Sequence, residues 1–215
     1  MSAGVRAPLP NRVRPDGEII ADPARGTLMG NRGGRIHDPA TRTLGRRRWA
    51  SRAWIACELA WKDWRRPVFG AGYTELFFCD EVTALAAGHR PCMLCRRRDA
   101  NAYRAALAAG LELATVPSFP DVDRLLHAER LQGGRKRIHR ADAGALPDGA
   151  MIRDDAGVFW ALRGSEALAW SPGGYTETAR RPTGAVAVLT PPASLAALAK
   201  GYRPRWHPSA LAPEG

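Results

Sequence analysis

Cys92 and Cys95 are separated by two residues and form a C-x-x-C motif directly after Arg90-Pro91. Thiolates at this spacing can bind one metal ion from the same side, with zinc–sulfur bonds of about 2.3 Å. The start of a helix and nearby arginines both favour the thiolate, and the arginines are Arg90, Arg96, Arg97, Arg98 and Arg104. We therefore interpret the motif as a metal site. A redox pair, which would need a preceding βαβ context, and two inert buried cysteines are the alternatives.

The motif ends a longer phrase, FFCDEVTALAAGHRPCMLCRR, which begins at Phe77. Over residues 73–98 the chain resembles the zinc-binding N-terminal domain of Ada-type DNA alkylation-repair proteins. In that family an aromatic pair leads into an N-capped helix ending Ala-Ala-Gly, followed by Arg-Pro-Cys-x-x-Cys. The matching residues are Phe77, Phe78, Asp80, Ala84, Leu85, Ala86, Ala87, Gly88, Arg90, Pro91, Cys92 and Cys95.

The resemblance implies a zinc site of four thiolates, of which Cys92 and Cys95 are the second pair. The family's first pair, Cys-x-x-x-Cys, is not reproduced, because Cys57 is the one cysteine upstream of the phrase and Trp61 stands four residues after it. We expect Cys57 to join the C-x-x-C pair as a ligand. The fourth ligand stays open among Cys79, His89, a histidine from elsewhere (His37 or His127) and water. In the family, one thiolate of the first pair accepts a methyl group from a DNA phosphotriester, so methyl acceptance by Cys57 is a side hypothesis.

The positive charge of the chain is concentrated towards its N-terminus. The net charge is +11 overall; residues 1–66 carry +8, residues 67–140 carry +3, and residues 141–215 are neutral. Only three of the 32 basic residues are lysines. Arginine binds phosphate in a bidentate manner and stacks on bases. A GC-rich genome would explain arginine over lysine but not this gradient, so we predict nucleic acid as a partner, DNA rather than RNA.

Several basic segments are candidates for that contact. Four segments could each contact phosphate or bases. They are the glycine-rich GTLMGNRGGRIHD, the arginines that lie among tryptophans around Cys57, the arginines after Cys95 and GGRKRIHR. The alternatives are an arginine-rich turn for the glycine-rich segment, tryptophans packed in the core under the predicted hairpin for the second, and a solvated loop for GGRKRIHR. The candidates are Arg32, Arg35, Arg47, Arg48, Arg96, Arg97, Arg98, Arg135, Lys136 and Arg137.

A second hypothesis is a metal-assisted hydrolase or nuclease acting on nucleic acid. It uses His37 and Asp38 at the end of the glycine-rich segment, and His127 and Glu129 in LLHAERL, with His139 in GGRKRIHR as a further candidate. Such groups could act as an acid/base pair if the fold brings them to one substrate. A solvated amphipathic helix is the other interpretation of LLHAERL, and a purely structural zinc module is the third hypothesis for the whole chain.

The sequence pattern predicts an α+β protein in three parts. Residues 1–25 read as an irregular basic arm, residues 26–140 as a basic Ada-like zinc module, and residues 141–215 as a neutral, β-rich region with a terminal helix. We predict a hairpin over residues 53–78, and helices after Asp80, over residues 93–109 and over residues 122–131. A last helix is expected after Thr190, with Pro191 at its first position, ending at Gly201.

The composition, 45% hydrophobic and 25% charged, is typical of a chain that folds around a core. No apolar run approaches the roughly 20 residues of a membrane span, and no apolar signal segment opens the chain. We therefore expect a soluble, cytoplasmic protein without a membrane partner.

Overall fold

The computed structural model describes residues 7–64 and 67–211, which form two six-stranded sheets and four α-helices. This confirms the predicted α+β class. Within the described residues, no helix is both long and apolar enough to cross a membrane.

The first sheet is built from the N-terminal half of the chain. The strands of this half are β1 (Pro10–Val13), β2 (Ile19–Ala21), β3 (Leu28–Arg32), β4 (His37–Asp38), β5 (Thr43–Leu44), β6 (Trp54–Cys57), β7 (Leu76–Phe78) and β8 (Arg90–Pro91). Their order in the sheet is β2-β1-β7-β3-β6-β8, while β4 and β5 form a separate two-stranded ribbon. The sheet is mixed, because β1 runs parallel to β7 and β6 runs parallel to β8.

Two expectations for this half were wrong. Residues 53–78 do not form a hairpin, because β3 lies between β6 and β7 and pairs antiparallel with both. The segment predicted as an irregular arm contains β1 and β2, so residues 10–21 are part of the sheet. The hairpin error arises because strand partners distant in sequence are not visible in local turn signals. Strands β1 and β2, in contrast, pair with each other across a short turn, and their proline- and arginine-rich composition does not indicate strands.

The four helices are α1 (Glu81–Ala86), α2 (Arg97–Gly110), α3 (Phe119–Arg130) and α4 (Pro192–Ala199). The side chain of Asp80 caps α1 as predicted, by accepting a hydrogen bond from Thr83 N at 2.9 Å. Ser118 caps α3 through a capping box. Helix α2 starts four residues later than predicted, because residues 93–95 form the turn that carries Cys95. Helix α4 starts at Pro192 with Pro191 as its N-cap, one residue later than predicted.

The second sheet is antiparallel, as the turn signals of the C-terminal half predict. Its strands are β11 (His139–Asp142), β12 (Met151–Arg153), β13 (Phe159–Arg163), β14 (Glu166–Ser171), β15 (Gly174–Arg180) and β16 (Ala185–Val188), ordered β11-β16-β12-β13-β14-β15. The short strands β9 (Leu131–Gln132) and β10 (Arg135–Lys136) form a ribbon before it.

Helix α1 is completely buried and packs between the two sheets. Ala84 and Ala87 pack on the first sheet, and Val82 and Ala86 pack on the second. Leu85 packs into a third cluster with residues of the other three helices. The two halves of the chain therefore share one buried helix across the boundary predicted near residue 140.

Candidate metal centre

Cys57, Cys92 and Cys95 come together at the edge of the first sheet. Their three sulfur atoms all lie within 4.8 Å of one another. Cys57 ends β6, and Cys92 follows β8, which runs parallel beside it; the amide of Cys92 donates to Ala56 O at 2.9 Å. Cys95 follows in the turn before α2. Parallel pairing of β6 with the edge strand β8 thus brings the upstream cysteine to the C-x-x-C pair, as the ligand prediction required.

The environment of the three sulfur atoms fits a thiolate site. Glu58 N donates to Cys95 Sγ and Leu94 N donates to Cys92 Sγ, both at 3.4 Å. Hydrogen bonds from the Cys57 and Cys95 thiols lower the pKa of Cys92. The hydrogen bond between Cys57 and Cys92 in turn raises the pKa of Cys57. Three converging sulfur donors are a ligand set that suits zinc.

An ion-pair network fixes the turn that carries Cys95. The next residue, Arg96, is buried, and its Nη2 donates to Glu81 Oε2 at 2.8 Å and to Asp99 Oδ2 at 2.6 Å. Glu58, adjacent to Cys57, accepts from Arg205 at 3.1 Å. The ion pairs of Arg96 and of Glu58 thus neutralise the charges next to Cys95 and Cys57. They also link the positions of the two segments that carry these cysteines.

A cavity of about 300 Å³ opens beside the cysteines. All three cysteines line it, together with mainly apolar and aromatic side chains: Met29, Ile55, Leu59, Trp61, Val68 and Phe77. Trp64 and Leu94 also line the cavity and are 57% and 56% exposed. We call this space the cysteine cavity. It gives the sulfur cluster access to an aromatic surface.

Neither Cys79 nor His89, the two leading candidates for the fourth ligand, belongs to the cluster. Cys79 is buried beside Asp80, and burial raises its pKa. His89 is fully buried, with its ring centroid 4.7 Å from that of Phe78 and 5.1 Å from that of Trp54. Its Nε2 accepts from Arg32 Nε at 3.4 Å. Both therefore have packing roles away from the sulfur cluster.

The four main residues of the hydrolase hypothesis occupy different places, and the fifth, His139, has its Nε2 2.9 Å from Glu129 O. His37 is buried, with Nδ1 2.6 Å from Thr74 Oγ1 and Nε2 2.9 Å from Gly70 O. Asp38 is the exposed last residue of β4, and its Oδ1 accepts from the amide of Ala40 in the following turn.

On α3, His127 Nδ1 accepts from Arg130 at 3.0 Å, and burial lowers its pKa. Glu129 Oε2 accepts from Ala193 N at 2.8 Å, near the start of α4, and burial raises its pKa. Among the residues that the structure describes, only the three cysteines form a metal-sized cluster. The two histidines and two carboxylates of the hydrolase hypothesis therefore do not make up one metal site.

The ten candidate nucleic-acid residues divide by exposure. Arg32 and Arg96 are buried and Lys136 is half-buried, so these three are not free surface cations. The exposed candidates are Arg35, Arg47, Arg48, Arg97, Arg98, Arg135 and Arg137. Sequence reasoning overlooked Glu58, Glu81 and Arg205, which support the cysteine segments. Only the position of Glu58 beside Cys57 could have indicated such a role.

The resemblance to Ada-type zinc domains rests on residues 73–98 and on the ligand pair within them. The third sulfur is contributed by β6, and most of the apolar lining by β3, β6 and residues 59–68, which all lie outside residues 73–98. No protein-family model, curated protein or solved structure matches the chain.

Proposed function

We propose that the chain is a zinc-containing nucleic-acid-binding protein that acts in DNA repair or processing, with DNA preferred over RNA. The observation that carries the proposal is the convergence of Cys57, Cys92 and Cys95 on the wall of the cysteine cavity. The link to repair comes from the resemblance of residues 73–98 to Ada-type zinc domains.

The three thiolates would hold the zinc ion. Three protein ligands leave one coordination position for water or substrate, as in catalytic rather than structural sites. Bound zinc would supply a Lewis acid at the cavity wall and lower the pKa of the thiols that hold it. The ion pair of Arg96 with Glu81 would hold the turn that carries Cys95 in position, and the apolar lining of the cysteine cavity would face the bound ion.

The aromatic rim of the cysteine cavity is suited to an unpaired base. Trp61 and Trp64 meet edge to face with ring centroids 5.7 Å apart, and Lys62 Nζ lies 4.6 Å from the centroid of Trp61. A volume of about 300 Å³ accommodates a group of the size of one base. Stacking of a base on an aromatic side chain contributes about 1–3 kcal/mol and tolerates any base.

The exposed arginines would contact the phosphate backbone. Arg97 and Arg98 open α2 directly after the cysteine turn, and Arg47 and Arg48 precede β6. These residues belong to the part of the chain that carries the excess positive charge. Contacts of this kind release counterions, so binding should weaken steeply as salt increases.

The test is the affinity of the zinc-loaded protein for labelled single-stranded DNA, duplex DNA and RNA, measured by fluorescence anisotropy at several salt concentrations. We expect tightest binding to DNA with unpaired bases. Replacing Arg97 and Arg98 by alanine should reduce the slope of log affinity against log salt by about one unit per lost phosphate contact. Trp64→Ala should weaken binding by roughly tenfold without changing the slope.

Arg153→Ala with Arg180→Ala is the matched control, because it removes two exposed arginines from the second sheet. This variant should bind as the wild type does. Absence of any nucleic-acid binding at low salt would rule out the proposal. An equal loss in the control would show that total charge, not the basic half of the chain, determines affinity.

A further inference from the structure

A second cavity lies on the opposite face of β3 and β6 from the cysteines. Arg32 pairs with Trp54 across these strands, next to the pair of Asn31 and Ile55 that faces the cysteine cavity. The second cavity has a volume of about 60 Å³, and we call it the Trp54 pocket. Its lining includes five cationic side chains: Arg32, Arg48, Arg130, Arg135 and Lys136.

Arg32 and Arg130 are buried around the indole of Trp54. They are 2% and 1% exposed, and their guanidinium carbons lie 4.0 Å and 3.9 Å from the centroid of the Trp54 ring. Their hydrogen bonds go to neutral acceptors. Arg32 donates to Gly17 O at 2.6 Å, Arg48 O at 3.3 Å and His89 Nε2 at 3.4 Å; Arg130 donates to Gly88 O and Arg52 O, both at 2.8 Å, and to His127 Nδ1 at 3.0 Å. Trp54 thus packs between two guanidinium groups whose hydrogen bonds go to no carboxylate among the described residues.

No carboxylate in residues 7–64 and 67–211 forms an ion pair with Arg32, Arg130 or Lys136. The two acidic residues that line the pocket form no such ion pair, since Asp16 pairs with Arg14 at 2.7 Å and Glu18 is exposed. Other ion pairs in the chain, such as Arg90 with Asp123 at 2.8 Å, show that buried arginines elsewhere receive a carboxylate.

Part of the charge is offset by the end of α1. Lys136 Nζ donates to Ala86 O, and Arg130 Nη1 donates to Gly88 O just beyond the helix. Helix C-termini carry only partial negative charge. The Nε of Arg130 has no hydrogen-bond partner among the described residues. Burial lowers the pKa of Arg32 and Arg130 to about 9 and that of Lys136 to about 7, although the nearby charges of Glu18, Asp123 and Asp16 respectively act to raise them.

We propose that the Trp54 pocket is a binding site for one phosphate group. A buried cation is stable only when paired, and a dianionic tetrahedral group accepts hydrogen bonds from several cations at once. A water molecule needs roughly 10–15 Å³ of such space, so the pocket holds a few waters or one phosphate but not a base. Arg48 and Arg135, both exposed, line the pocket and can contact the rest of a larger ligand.

This inference goes beyond the proposed function, because the Trp54 pocket shares no lining residue with the cysteine cavity. The phosphate could be free inorganic phosphate or the 5′-terminal phosphate of a nucleic-acid strand. Both present the same group to Arg32, Arg130 and Lys136, and the experiment separates them.

The first measurement is the thermal midpoint of the full chain in increasing inorganic phosphate, compared with chloride at the same ionic strength. We expect a saturable increase specific to phosphate, because a ligand that binds the folded state stabilises it. Lys136→Met and Arg130→Gln should each weaken the apparent affinity by at least about tenfold. Lys136→Met keeps the test valid if Arg130→Gln does not fold, since Lys136 is only half-buried. The control, Arg153→Ala with Arg180→Ala, should respond as the wild type does.

The second measurement compares two otherwise identical 3′-labelled DNA strands, one with a 5′-phosphate and one with a 5′-hydroxyl. Roughly tenfold tighter binding of the phosphorylated strand, lost in Lys136→Met, would assign the pocket to a strand end. Equal binding of the two strands together with a phosphate-specific thermal shift would assign it to free phosphate. Binding of the 5′-hydroxyl strand tests the proposed function alone. The phosphate site is overturned if phosphate and chloride have the same thermal effect and the two strands bind equally, or if Lys136→Met changes neither response.

Discussion

At the level of single residues, the four cysteines of the chain occupy two different environments. Cys57, Cys92 and Cys95 meet within 4.8 Å, whereas Cys79, only one residue before the N-cap of α1, is buried apart from them. Cys79 is near Cys92 in sequence, and Cys57 is far from it. Strand pairing of β6 with β8, not sequence distance, therefore selects the candidate ligands.

The first prediction concerns zinc stoichiometry. Cys57→Ser, Cys92→Ser and Cys95→Ser should each lower bound zinc well below one equivalent, because each removes one of three thiolates. Cys79→Ser is the matched control and should retain the wild-type content. Atomic absorption on purified proteins measures both. Loss of zinc in the Cys79 variant, with its fold intact, would contradict the ligand set.

The second prediction concerns His89 and pH. Burial, and then the charges of Arg32 and Arg130, hold the pKa of His89 well below its usual value. In the unfolded chain this imidazole titrates near about 6.5. Below that pH the unfolded state binds the extra proton, so the free energy of unfolding should decrease by up to about 1.4 kcal/mol per pH unit.

The measurement is urea unfolding at several pH values on both sides of the unfolded-state pKa, for the wild type and for His89→Gln. The glutamine cannot titrate, so the variant should show a flatter decrease on acidification, whatever its absolute stability. Equal slopes for the two proteins would show that His89 is not buried in its neutral form.

At the level of elements, the end of α1 depends on one glycine. Gly88 has φ +85°, and His89 N donates to Ala84 O at 2.9 Å, which closes the helix with a Schellman-type turn. A Cβ at this position would lie 2.6 Å from Arg130 Cδ and 2.8 Å from Arg130 Cβ. Both the backbone conformation and the packing of α3 therefore require glycine.

The third prediction is that Gly88→Ala destabilises the protein by more than about 1 kcal/mol, since the left-handed backbone alone costs about that much and the contact with Arg130 adds to it. Gly133→Ala is the control, because Gly133 also has positive φ but a methyl group there would have nothing within 4 Å. Chemical denaturation should show the larger loss for Gly88→Ala. Equal losses would mean that backbone strain, not the packing of Arg130, accounts for the effect.

The elements also show where sequence reasoning works and where it fails. The N-cap at Asp80, the stop at Gly88 and the alternating strands after residue 146 are local signals, and the structure contains all of them. The hairpin over residues 53–78 failed because β3, which precedes both of its strands in the chain, inserts between them. Pairing of distant strands depends on how whole faces pack, which a local pattern does not encode.

At the level of the whole molecule, α1 connects the two halves. Asp80 Oδ2 accepts from Tyr175 Oη at 2.8 Å and from His207 N at 3.0 Å, and Thr83 Oγ1 accepts from Trp170 Nε1 at 2.9 Å. The carboxylate of Glu81, behind the cysteine turn, accepts from Tyr202 and from Arg205 N. The C-terminal half thus completes the surroundings of buried carboxylates in the N-terminal half.

The fourth prediction follows from these contacts. A fragment of residues 1–140 should not unfold cooperatively, because it would expose Val82 and Ala86 and leave Asp80 and Glu81 without partners from the second half. Thermal unfolding followed by circular dichroism, with and without zinc, compares the fragment with the full chain. A cooperative transition near the midpoint of the full chain would show that the first half is an independent domain.

The sequence by itself determined the α+β class, the ends of α1, the C-x-x-C pair and the concentration of positive charge, because each depends on residue type and short spacing. The sequence also predicted Cys57 as the third ligand, and parallel pairing of β6 and β8 brings it to the pair. The tertiary structure decided that Cys79 and His89, both left open as the fourth ligand, lie outside the cluster. It also decided which arginines are exposed and which are buried around Trp54. Burial depends on packing between segments far apart in the chain, and so a run of arginines alone does not distinguish a surface contact from an interior cation.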